Sequence, residues 1–105
     1  MQITRGTTPT IEINVKSEID FAHIAQVWVY ISQMNKVKVD KVIADVSLDA
    51  EHSKITVTLS QDDTLGLKAG DAIFQIRLLM DDTTALATKA TKITIDEVYK
   101  PGVIT

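Results

Sequence analysis

The chain contains no cysteine, so it has neither a disulfide framework nor a thiolate metal site, and a packed core has to hold the fold alone. Its two histidines, His23 and His52, lie far apart and lack the paired spacing of a helix-borne metal site. Both are read as solvated or edge residues. No G-x-S-x-G elbow occurs and neither histidine sits in a triad context, so hydrolase chemistry has no support. Asp62-Asp63 and Asp81-Asp82 lack the alternating ligands and glycine of a calcium loop, and neighbouring carboxylates on a turn point in different directions. Capping and turn formation explain both pairs. The chain is therefore expected not to be an enzyme, with no catalytic, metal or cofactor-binding residue and no cofactor.

Long apolar runs are also missing. The longest, Val27 to Ile31, is far below the ~20 residues of a membrane span, and no signal-like segment follows Met1. The chain as given reads as cytoplasmic at synthesis, without a membrane partner. A formal charge of −3 with 11 scattered basic residues leaves no footprint for nucleic acid. At 105 residues, 45% hydrophobic and 24% charged, residues 1–105 form one soluble domain.

What is present is β-branched: isoleucine, valine and threonine abound, and their restricted χ1 suits a pleated surface. Arg5-Gly6-Thr7-Thr8-Pro9-Thr10 forms a strand entry fixed by Gly6 and Pro9, opening into the alternation Ile11-Glu12-Ile13-Asn14-Val15-Lys16, which predicts a half-buried strand. Ser17 to His23 reads as a connection, with Asp20 capping one helical turn and Phe21 plugging a core edge. Ile24 to Met34 is the strongest strand, with Val27, Val29 and Ile31 on one face and Trp28 and Tyr30 on the other. After a turn at Asn35-Lys36, one long or two short strands run to Leu48, with a bulge or break near Asp40-Lys41. Asp49 to Ser53 closes a hairpin onto Ile55, Val57 and Leu59. Ser60 caps a short helical turn, Ile73 to Met80 forms a central strand, and a last strand runs from about Ala85 to Val98 with a bulge near Asp96-Glu97. Pro101-Gly102 ends the ordered chain.

These segments predict an all-β fold, an immunoglobulin-like antiparallel sandwich of about seven strands. A small closed barrel satisfies the same periodicity. Met1 to Thr4 and Val103-Ile104-Thr105 are short segments able to extend a sheet or reach a neighbour. Lys36, Lys38 and Lys41 flank a strand end, where alternating lysines protect an edge from aggregation; phosphate contact is the less favoured reading. Trp28 and Tyr30 share a side, and if exposed would form an aromatic platform for a sugar ring or a protein. Placement in the core is the preferred reading for both.

Several runs together resemble small phage and prophage proteins of Gram-positive bacteria, similar to the N-terminal domain of upper baseplate (tail) proteins. They are Arg5-Gly6-Thr7-Thr8-Pro9, Ile55-Thr56-Val57-Thr58-Leu59-Ser60-Gln61-Asp62-Asp63-Thr64, Lys68-Ala69-Gly70 before Gln75-Ile76-Arg77, and Ile93 to Val98 followed by Lys100-Pro101-Gly102-Val103-Ile104. The resemblance implies an immunoglobulin-like structural or accessory protein, tail or baseplate associated, that acts by assembly with other phage structural proteins or with copies of itself. It implies the host cytoplasm during assembly, with the virion as a further location, and it transfers no site residues. The alternative expectation is a carbohydrate-binding or adhesion module that uses Trp28 and Tyr30.

Overall fold

The computed structural model describes residues 1–16, 19–88, 90–100 and 102–105. The expectations made for Ser17, Glu18 and Pro101 lie outside the described residues. In chain order the strands are β1 (Gln2–Thr4), β2 (Thr10–Asn14), β3 (Ile24–Gln33), β4 (Lys36–Val42), β5 (Val46–Asp49), β6 (Lys54–Thr58), β7 (Gly70–Met80), β8 (Ala85–Ala87) and β9 (Thr91–Asp96). One-turn 3-10 helices at Phe21–His23 and Ile43–Asp45 and a short helix α1 (Gln61–Leu65) complete the fold.

Two sheets result. The larger runs β1-β9-β7-β3-β4, with β8 also paired to β7, and the smaller runs β2-β6-β5. A sandwich is therefore formed, and among the described residues no hydrogen-bonded ladder joins the two sheets, so the barrel alternative does not hold. The smaller sheet is antiparallel. The larger is mixed, because β1 lies parallel to β9 with Ile3 opposite Ile95. Met1 to Thr4 thus extends the protein's own sheet.

The alternation seen in sequence places the core. Val27, Val29 and Ile31 of β3 and Ala72, Phe74, Ile76 and Leu78 of β7 are buried against Ile11, Ile55, Val57 and Leu59 of the smaller-sheet segments. β3 and β7 are adjacent and central, with Val29 opposite Ile76, so their inner faces carry the middle of the core. Phe21 is buried next to the Asp20 cap, whose side chain accepts from the Ala22 amide, as expected.

Strand boundaries depart from expectation at three places. β3 and β4 join through Met34 and Asn35, both at positive φ, the backbone that lets a two-residue hairpin follow strand twist; the turn lies one residue earlier than read. β4 shows no break at Asp40-Lys41. It runs on to Val42, and the chain then changes sheets through the 3-10 turn, where the Asp45 carboxylate accepts from the Val42 amide at 3.1 Å. The register shift falls instead between Ile31 and Ser32. The final strand divides into β8 and β9 rather than bulging near Asp96-Glu97. At the division Thr88 is drawn onto β7, its hydroxyl accepting from the Ile76 amide at 3.0 Å and its carbonyl from Gln75 Nε2 at 2.9 Å.

The opening run turns out to bridge the two sheets. The Arg5 amide donates to the Asp96 carbonyl at 3.0 Å on the larger sheet, and the Pro9 carbonyl accepts from the Leu59 amide at 2.9 Å beside the smaller one. Between them Gly6 takes φ +78° against the Leu65 side chain, a backbone that costs any other residue strain. α1 holds this crossing. The fully buried Thr64 donates its hydroxyl to the Thr7 carbonyl at 2.8 Å. Arg5 donates Nη2 to the Leu65 carbonyl at 3.0 Å and ion-pairs with Glu97.

α1 is fixed by the expected Ser60 cap. Ser60 Oγ accepts from the Asp63 amide at 3.0 Å, and Asp63 Oδ2 accepts from the Ser60 amide at 2.8 Å, a reciprocal capping box. Lys41 Nζ meets the same Asp63 oxygen at 2.8 Å. Partial burial pushes the Asp63 carboxyl up, but Lys41 and the Ser60 donors outweigh it and hold the group below its ordinary value.

Thr64→Val keeps the shape and removes the hydroxyl, leaving the Thr7 carbonyl without this donor. It is expected to lower the unfolding free energy by about 1–2 kcal/mol, read from urea denaturation at constant m-value. A variant as stable as the parent would show that this bond contributes nothing.

Candidate functional site: a cleft beside strand β8

A cleft of about 1010 Å³ opens on one flank of the sandwich, a volume at the upper end of small-ligand sites. One wall comes from the end of β2 and the connection after it, Asn14, Val15, Lys16, Ile19 and Asp20; the other comes from Leu78 and Met80 of β7 and Leu86, Ala87 and Thr88 at β8. Its floor is apolar because Leu86 lies opposite Leu78, and both follow the inward face of the larger sheet. Val15, Ile19, Met80 and Leu86 pack against the core while staying partly exposed.

The rim is polar. His23, at the end of its 3-10 turn, places Nδ1 at 3.1 Å from Asp81 Oδ2 and Nε2 at 3.5 Å from Asp20 Oδ2. The backbone adds a tie, with the Asp81 amide donating to the His23 carbonyl at 2.8 Å. The Asp81 hydrogen bond first, then the negative charge of Asp20, raises the His23 pKa above its ordinary value. Asp82 closes the β7–β8 turn by accepting from the Thr84 amide at 3.0 Å. Those Thr84 bonds, side chain first, hold its carboxyl below the usual range.

Sequence reading had placed His23 correctly at the surface and had assigned Asp81-Asp82 to a turn. It missed that they meet, since His23 and Asp81 are 58 positions apart and only the packing of the first connection against the β7–β8 turn joins them. His52 is likewise exposed, in the β5–β6 turn with Nδ1 at 2.8 Å from Asp49 Oδ2. Among the described residues no group of three or more histidine, cysteine or acidic side chains is arranged to hold a metal ion.

The aromatic pair lies elsewhere. Trp28 and Tyr30 are on the outer face of the larger sheet, half-buried, and not in the inter-sheet core that the sequence favoured. The physical reason is space: the inner positions of β3 and β7 are already filled by Val27, Val29, Ile31, Ile76 and Leu78. The two side chains line a shallower groove of about 360 Å³ with Val37, Asp40, Arg77, Leu79 and Ala85. Trp28 stands opposite Arg77. The Tyr30 hydroxyl donates to Gln75 Oε1 at 2.5 Å, so its proton is already committed within the sheet.

β4 is an edge strand and Lys36 and Lys38 are exposed on it. Lys41 differs from the edge-protection reading, because it reaches α1 through the ion pair with Asp63.

No family model matches the chain, and no curated protein matches it. Among solved structures it is similar to the crystal structure of CopC from Methylosinus trichosporium OB3b, with 14% sequence identity and a TM-score of 0.54 over 96% of this chain and 89% of that one. At this identity the likeness concerns the fold, and it agrees with the sandwich. The expectation of a phage or prophage structural role is overturned by this finding: the fold likeness leads to CopC, and nothing among family models or curated proteins leads to a tail or baseplate.

Two measurements follow. Because the folded His23 pKa is raised above 6.5, the stabilisation from its carboxylate partners is fully present below that pH and is lost as pH rises through the folded value. An NMR titration of His23 is expected to give a midpoint above 6.5, falling towards it in Asp81→Asn; an unshifted midpoint would refute the pairing. Trp28 is the only tryptophan, and its outer-face position beside Arg77 is expected to give emission that iodide quenches readily. Protected, blue-shifted emission would place the indole inside the sandwich.

Proposed function

We propose that this chain is a non-catalytic binding module whose ligand enters the cleft between the end of β2 and strand β8. The observation that carries the reading is the open apolar wall: Leu86, Met80, Val15 and Ile19 adjoin the core yet remain partly exposed, on a flank of the sandwich where no described strand covers them. A concave, mostly apolar wall with a few convergent polar groups is the arrangement that small-ligand and peptide sites share.

The polar rim suits recognition better than reaction chemistry. Both ring nitrogens of His23 face carboxylates, Nδ1 that of Asp81 and Nε2 that of Asp20, so the ring is held in place on the rim. Asp82 is occupied in forming its turn. These groups orient and select while the apolar wall supplies the binding energy, at roughly 25 cal/mol per Å² of apolar surface covered. The CopC likeness contributes the fold and no ligand.

The test uses the amphiphilic dye 1-anilinonaphthalene-8-sulfonate and methyl-labelled protein. Dye binding is expected to be saturable and to shift the methyl resonances of Val15, Ile19, Leu78, Met80 and Leu86. Leu86→Gln is expected to weaken it by about tenfold without loss of the fold, as judged by circular dichroism. Dye shifts confined to the Trp28 groove, or binding unchanged in Leu86→Gln, would overturn the reading.

A further inference from the structure

The larger sheet is incomplete in a specific way. On one flank of β7, β9 pairs with Gly70 to Phe74 and β8 pairs with Arg77 to Leu79, so the two short strands follow one another along the same side. The next row out is half filled: β1 lies beside β9, and no described strand lies beside β8. The cleft opens at this unfilled half-row.

The backbone of β8 is set up for a further strand. The Thr88 amide donates to the Ile76 carbonyl at 2.8 Å and the Met80 amide to the Thr84 carbonyl at 2.9 Å, and Leu86 lies opposite Leu78 midway between these pairs. Antiparallel alternation therefore turns the Leu86 amide and carbonyl towards β7 and those of Ala85 and Ala87 outward, to the free edge. A strand laid there would continue the sheet, and every second side chain would face the apolar wall of Leu86, Val15 and Ile19.

Charge identifies one end. Around the β7–β8 turn stand the carboxylates of Asp20, Asp81 and Asp82, faced by His23 and, on the β2 wall, by Lys16. Among the described residues the rim carries a net negative charge even with both cations charged. Asp20 and Asp81 are each more than half exposed.

We infer that the cleft takes an extended segment of another protein, added as a strand along the free edge of β8, with alternating apolar side chains on the wall and a lysine or arginine beside Asp81 and Asp82. This rests on the cleft being the binding site and adds what fills it. Strand addition draws affinity from main-chain hydrogen bonds and selectivity from alternate side chains, and the half-filled row supplies both.

The test is NMR titration of the methyl- and amide-labelled protein with three synthetic peptides. Each has alternating valine and threonine: one ends in two lysines, one ends in two glutamates, and one is the lysine peptide with alternate backbone amides N-methylated. The lysine peptide is expected to shift the Ala85 and Ala87 amides and the Leu86 methyls. It is expected to bind about fivefold more tightly than the glutamate peptide, and the N-methylated form is expected to lose at least about tenfold. Asp81→Asn with Asp82→Asn is expected to bring the lysine and glutamate peptides to near-equal affinity. Equal binding of the lysine and N-methylated peptides, or no shift at Ala85 and Ala87, overturns strand addition while dye binding leaves the cleft reading standing. Cleft shifts that grow with protein concentration alone overturn it in favour of a second copy of this chain. Failure of the dye itself overturns the cleft reading.

Discussion

The fold depends on how the chain passes from one sheet to the other within its first ten residues. β1 belongs to the larger sheet and β2 to the smaller, so Arg5 to Pro9 must cross the end of the sandwich while their backbone groups find partners. Those partners come from the far end of the sequence and from its middle: the Asp96 carbonyl, the Leu59 amide and the Thr64 hydroxyl. α1 is only five residues long, too short to be stable by itself. It persists because its capping box, the Lys41 ion pair and the buried Thr64 fix it at this crossing.

A second polar anchor works in the same way just after α1 in the chain. Gln33, at the end of β3, is nearly fully buried. Its amide donates to the Lys68 carbonyl at 2.7 Å and its carbonyl accepts from the Lys68 amide at 2.8 Å. This side chain substitutes for a strand neighbour and ties the loop before β7 to the end of β3. With α1 and the loop after it held, β7 enters the centre of the larger sheet in one register, and the positions of β8 and β9 along it follow. The cleft is a consequence of that placement, since Thr88 ends β8 by bonding to β7 and the chain resumes as β9 further down the same flank.

Local chemistry made several features legible in sequence. The alternation Val27, Val29, Ile31 put these three side chains on one face of β3, the Ser60 and Asp20 caps stand where their side chains were expected to work, and Asp49 to Ser53 closes its hairpin. These depend on neighbours within a few residues. The division of the last strand was not legible, because what interrupts it is a long-range hydrogen bond between Thr88 and β7. The parallel seating of β1 was not legible either, since a three-residue strand carries no periodicity with which to state its direction. Trp28 and Tyr30 were assigned to one face correctly but to the wrong environment: alternation separates two faces without saying which of them meets the other sheet.

The amino-acid sequence by itself determined that the chain is a β protein with an ordinary apolar core, without cysteine chemistry, and with two capped turns at stated residues. Those properties follow from side-chain branching, period-two hydrophobicity and the hydrogen-bonding reach of serine and aspartate, all of which act over a few residues. Only the tertiary structure decided which face of β3 is buried, that His23 meets Asp81, and that no described strand lies beside β8. Each of these is set by the order in which distant strands pair, and strand order is a property of the whole packed chain that no local pattern contains.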